Sequence, residues 1–118
     1  MIQNPAKTTR PWGSYEIIAE GESYLAKYIE VLPGQSLSLQ LHHHRNEHWV
    51  VVCGTAKIVC GEEEKLLNPD ESLYIPKETK HRLTNLSATA LLGLIEVQTG
   101  DSLSEDDIVR FEDIYGRA

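Results

Sequence analysis

Between Tyr24 and Gly100 the chain is a succession of short β-rich segments broken by turn signals. They are "YLAKYIEVL" closed by Pro33-Gly34, "SLSLQLHH", "EHWVVVC" closed by Gly54, "AKIVC" closed by Gly61, "EKLLN" closed by Pro69-Asp70, "SLYIP", "HRLTNL" and "ALLGLIEVQTG". This spacing predicts about eight strands. The intervals leave no room for crossover helices, so the sheet is antiparallel and closes as a small barrel or jelly roll, an all-β fold. Only "SEDDIVRFEDIYG" departs from the pattern. There Ser104 is placed to cap a short helix with an acidic first turn, and Ile108, Phe111 and Ile114 are available to pack back on the barrel. The N-terminal "TTRPWGSYE" reads as irregular chain across one barrel end.

At 118 residues the chain has the length of one domain, taken as 1–118. Its longest apolar runs, such as "WVVVC", are far too short to span a membrane, and "MIQNPAKTTRPWG" has no apolar centre of the kind a signal peptide carries. A net charge of -7, with only 11 Lys and Arg spread along the chain, argues against a nucleic-acid partner. A small anion is still compatible with local arginines, and Arg10, Arg45, Arg82, Arg110 and Arg117 are the candidates. Cys53 and Cys60 both sit in strand-like apolar sequence, which suggests buried thiols and a cytoplasmic location.

Four of the five histidines fall between His42 and His48, next to Glu47 and just before an apolar strand. Period-two alternation puts Ser38, Gln40, His42 and His44 on one face, and Glu47, Trp49 and Val51 on one face of the next strand. Polar groups turned into a narrow barrel need partners. Gln40, His42, Glu47 and His81 offer an amide oxygen, two imidazoles and a carboxylate, a set suited to a divalent ion such as Zn, Fe, Mn, Co or Ni. A hydrogen-bonded polar network is the plainer alternative. By the same alternation His44 lies near the ion, while His48 is structural and at least one of His43, His44 and His48 faces outward. Glu96 and Gln98 share one face of a late strand and either line the site or face water. Trp12 and Trp49 read as packing residues.

The run Gly34, Gln40, His42, Glu47, Gly54 resembles the first motif of the cupin superfamily, with Gln in place of its first His, so the core motifs fall at about 34–54 and 70–85. The second motif is recognisable in "DESLYIPKETKHRLTN", where Asp70 and Glu78 stand at positions usually held by glycine while Pro76, His81 and Asn85 match. "RPWGSYE", "LSLQLHHHRNEHWVVVCGTA", "YIPKETKHRLTN", "LIEVQTG" and "SEDDIVRFEDIYGR" further resemble the C-terminal isomerase domain of type II phosphomannose isomerase / mannose-1-phosphate guanylyltransferase, here read as standing alone.

That resemblance implies a metal-dependent aldose–ketose isomerase, interconverting mannose 6-phosphate and fructose 6-phosphate through an enediolate, in GDP-mannose and polysaccharide biosynthesis. It implies Gln40, His42, Glu47 and His81 as the ligand set of a divalent ion, with zinc placed first and Mn, Co, Fe or Ni behind it. The proton-transferring base is then His44 or Glu96. The phosphate falls to Arg110 with Arg45 or Arg82, and Lys27 is a further candidate for substrate binding, although surface placement is the ordinary fate of such cations. Cupins also serve as binding proteins, dioxygenases, epimerases and sensors, so fold alone leaves a non-catalytic sugar binder or another metal-dependent reaction open. A homodimer is expected, because small barrels leave edges and apolar faces to cover.

Overall fold

The turn signals divide the chain as expected, and extra strands form at both ends. The computed structural model describes residues 7–116. It contains β1 (Thr8–Arg10), β2 (Gly13–Glu20), β3 (Tyr24–Val31), β4 (Leu39–Leu41), β5 (Arg45–Cys53), β6 (Ala56–Cys60), β7 (Glu63–Leu67), β8 (Ser72–Ile75), β9 (His81–Asn85), β10 (Leu92–Gly100) and β11 (Val109–Glu112). They form a six-stranded sheet in the order β1-β2-β3-β10-β5-β8 and a five-stranded sheet in the order β11-β4-β9-β6-β7. Strand pairing is antiparallel throughout both sheets, and the fold is an all-β jelly roll.

Two expectations are corrected. "TTRPWGSYE" is not irregular, because Arg10 and Gly13 pair across a tight turn that starts a hairpin. The segment after Ser104 forms no helix: Ser104 caps a single turn, with its hydroxyl accepting from the Asp106 amide at 3.1 Å, and the chain then extends into β11 against β4. β-branched Ile108 and Val109 favour extended chain, and the free edge of β4 supplies the hydrogen bonds a short helix would have to make internally. Arg117 lies outside the described residues.

The interior has an apolar end and a polar end, both produced by alternation. Along β5 the buried side chains are Arg45, Glu47, Trp49 and Val51, and along β10 they include Leu92, Leu94, Glu96 and Gln98. Antiparallel register sets Leu94 beside Val51 and Gln98 beside Glu47, so apolar meets apolar and polar meets polar. On the other side of β10, Glu96 pairs with Lys27. Ile29, Val31, Ile58 and Leu83 complete the apolar end.

The two positions without the usual glycine still take the backbone conformation that glycine favours. Asp70 has φ 75° and Glu78 has φ 64°, in the left-handed region. Asp tolerates this region better than Glu, which has no short side chain to bond its own backbone. Glu78 is held there by its amide, which donates to the His42 carbonyl at 2.7 Å and ties the β8–β9 turn to the histidine segment. Replacing Glu78 with Gly should therefore raise the unfolding free energy by up to about 1 kcal/mol, and Asp70→Gly should gain less. Urea denaturation of the two variants checks the order.

Candidate metal centre

Strand periodicity, a bend and a turn bring three of the expected ligands together. β4 ends at Leu41, after which His42 stays buried while His43 and His44 face solvent. Glu47 points inward from β5, and His81 starts β9 after the Glu78 turn. Their candidate donor atoms all lie within 4.8 Å of one another, and all three side chains are buried.

The hydrogen bonds fix which atoms are available. His42 Nδ1 lies 2.6 Å from the Asp107 carbonyl and His81 Nδ1 lies 2.9 Å from the Thr79 carbonyl. A carbonyl only accepts, so each Nδ1 carries a proton and each Nε2 presents a lone pair. His42 Nε2 is 3.1 Å from Glu47 Oε2, and His81 Nε2 is 3.8 Å from Glu47 Oε1. His81 Nε2 is buried with no hydrogen-bond partner. Two lone pairs converging on a buried carboxylate are an arrangement that a cation between them would satisfy. Ligands bound to one ion at about 2.0–2.2 Å lie about 3 Å apart, so the donor set fits a divalent metal.

The surrounding groups keep the carboxylate charged. Burial alone would push the Glu47 carboxyl up, but the charged and hydrogen-bonding groups around it, the Arg45 guanidinium among them, outweigh this and hold it well below the usual carboxylate range. Trp49 Nε1 also donates to Glu47 Oε1 at 2.9 Å. His81 is pushed down by burial, which keeps it neutral as a ligand must be.

Gln40 stands opposite His81 across β4–β9, lines the adjoining cleft, and accepts a hydrogen bond from Ser38 Oγ at 2.9 Å. Lys27, Arg45, Glu96 and Arg110 line the same cleft. Glu96 is buried, and burial together with the charge of Glu47 raises its pKa to about 8. Lys27 is buried, paired with Glu105, and lies 4.2 Å from the Tyr15 ring centre.

Two expected site residues are not brought in. His44 is exposed, with Nδ1 3.5 Å from an Asp101 carboxylate oxygen, because the strand that would have carried it inward stops at Leu41. Arg82 pairs with Glu112 at 3.1 Å outside the cleft lining. His48 is on the outer face, its ring centre 4.6 Å from that of Tyr74. Cys53 is exposed rather than buried, and Cys60 is half-buried.

Sequence reasoning missed Asp107. Its carbonyl orients His42, and its carboxylate accepts the His43 and His44 amides at 2.8 and 2.9 Å. Burial opposes ionisation of Asp107, but the two amides outweigh it and lower the pKa. Reading "SEDD" as a helix start hid this role, since a capping turn and a helix begin with the same residues.

The family described as "Mannose-6-phosphate isomerase C-terminal" matches residues 1–113. Alginate biosynthesis protein AlgA of Pseudomonas putida is 53% identical over 98% of this chain, and mannose-1-phosphate guanylyltransferase ManC of Salmonella typhimurium is 56% identical over 92% of it. The chain spans only 24% and 22% of those proteins. The cupin domain of Schizosaccharomyces pombe Cnp3 superposes with a TM-score of 0.70 at 13% identity, covering 75% of this chain and 64% of that one, which supports the cupin fold. The expected mannose 6-phosphate isomerase activity is corrected on these findings. The matched proteins are named for alginate biosynthesis and guanylyl transfer, and under a quarter of their length is shared, so their names establish no isomerase reaction in this chain. Among the described residues no helix is long and apolar enough to cross a membrane.

The buried Glu96 carboxyl gives a pH signature. Because its folded pKa lies above the ordinary value of 4.5, the protein loses stability as pH rises from about 4.5 to about 8, then levels off. Glu96→Gln removes that loss. In chelator-treated protein, the Tm of Glu96→Gln relative to wild type should climb across this window and stay flat above it.

Proposed function

The chain belongs to the mannose-6-phosphate isomerase C-terminal family, and from that premise we propose that it is a metal-centred cupin domain that binds a small phosphorylated sugar, in the alginate-biosynthesis and mannose-1-phosphate chemistry for which its relatives are named. The observation that carries this reading is the pair of imidazoles whose Nε2 atoms converge on one buried carboxylate. His42, Glu47 and His81 hold the ion, with Gln40 the fourth candidate from the neighbouring strand. Zinc is the first candidate, because two imidazoles and a carboxylate are a frequent zinc donor set. When bound, such an ion supplies Lewis-acid polarisation of a ligand oxygen.

The residues of the cleft support an anionic ligand. Arg45, Arg110, Lys27 and Arg10 face it, and buried N–H groups of Arg45 (Nη1) and Arg110 (Nε) have no acceptor in the protein. Orphaned guanidinium donors call for an acceptor such as a phosphate oxygen. Glu96, with its pKa near neutrality, is the group in this cleft suited to exchange a proton with a bound ligand. In this reading the chain works in the cytoplasm, in keeping with its unpaired cysteines. It dimerises through the outer face of β5 and β8, where Val50, Val52 and Tyr74 are exposed.

Two variant sets test the reading. After reconstitution, His42→Ala and His81→Ala should lose most bound metal while His48→Ala keeps it, measured by elemental analysis. On metal-loaded protein, Arg110→Ala should weaken binding of a hexose 6-phosphate by about tenfold or more and leave any binding of the free hexose unchanged. Full metal occupancy in both histidine variants would overturn the metal reading, and equal losses for the two sugars would overturn the phosphate reading.

A further inference from the structure

Arg45 stands between the ligand cluster and the cleft. Its Nε donates to Glu47 Oε2 at 2.9 Å, and its Nη2 donates to His42 Nε2 at 3.1 Å. These are two of the atoms a metal would use. The cleft lining includes Arg45, Gln40 and Glu96 but none of His42, Glu47 and His81. Arg45 is itself buried, and its remaining terminal nitrogen, Nη1, has no partner.

A nitrogen lone pair serves one acceptor role at a time, so an N–H donor and a metal ion exclude each other at His42 Nε2. The guanidinium is permanently charged, and it repels a divalent ion at close range. We propose that Arg45 is an internal competitor of the metal: it occupies His42 Nε2 and Glu47 Oε2 when the ion is absent, and releases His42 when the ion binds. Its freed donors then face the cleft, where they take an anion. Metal and anion therefore favour each other, because each ligand prefers the arrangement in which Arg45 has left His42. This inference rests on the reading of His42, Glu47 and His81 as metal ligands.

The test is a titration of chelator-treated protein with Co2+, followed by its d–d absorption. Arg45→Met keeps side-chain length without charge, and it should bind Co2+ at least tenfold more tightly than wild type. Arg45→Lys keeps the charge but has no fork to span His42 and Glu47, so it should also bind more tightly than wild type, and it carries the test if Arg45→Met does not fold. Sodium sulfate, compared with sodium chloride at matched ionic strength, should tighten Co2+ binding several-fold in wild type and have no such effect in Arg45→Met. Unchanged or weaker Co2+ affinity in the folded Arg45 variants would overturn the competition, and an equal sulfate effect in wild type and Arg45→Met would overturn the coupling. A wild type that binds no Co2+ at all would instead defeat the metal reading itself, and the inference with it.

Discussion

The buried carboxylate of Glu47 is the constraint around which the polar end of the barrel is arranged. An ionised carboxylate removed from water is strongly unfavourable unless charges and hydrogen bonds surround it. Here an indole N–H, a guanidinium and two imidazoles meet it, and the Arg45, Trp49 and His42 contacts are each at about 3 Å. The backbones of Arg45, Trp49 and His81 are held by their own strands. Arg45 and Trp49 share the inward face of β5 with Glu47, and His81 is placed by the first residue of β9. The carboxylate therefore sits in a rigid backbone frame.

The apolar end makes that rigidity possible. Leu92, Leu94, Val51, Ile58 and Leu83 are buried in contact with the same two sheets that carry the polar groups farther along. The register of β5 on β10 couples the two ends: a slip of one residue would turn Glu47 and Gln98 outward together with Val51 and Leu94. Burying the apolar residues thereby sets the position of the Glu47 carboxylate in the group that could hold a metal. The segment between β10 and β11 closes the site from the other side, with Glu105 on Lys27 and Asp107 on His42.

Much of this was legible in the sequence where alternation runs unbroken. The shared face of Glu47, Trp49 and Val51 and the convergence of His42, Glu47 and His81 follow from a period of two and from family spacing, whereas alternation put Glu96 and Gln98 on one face without deciding between the site and water. Alternation failed at His44, because it assumes a strand that continues, and the chain instead bends where Asp107 caps the His43 and His44 amides. The same Asp107 was hidden by its helix-like neighbourhood. β1, β2 and β11 were missed or misread for a related reason: edge strands take their stability from pairing partners that local sequence does not reveal. The role of Arg45 as a neighbour of the ligands was out of reach, since spacing gives the face of a residue but not where a long flexible side chain ends.

The central claim is that two imidazoles and the Glu47 carboxylate share one divalent ion. X-ray absorption at the zinc edge of stoichiometrically loaded protein tests this directly. The account predicts a first shell of nitrogen and oxygen at about 2.0–2.2 Å with the outer-shell scattering of two imidazoles. A first shell containing sulfur from Cys53 or Cys60, or one without imidazole scattering, would contradict it.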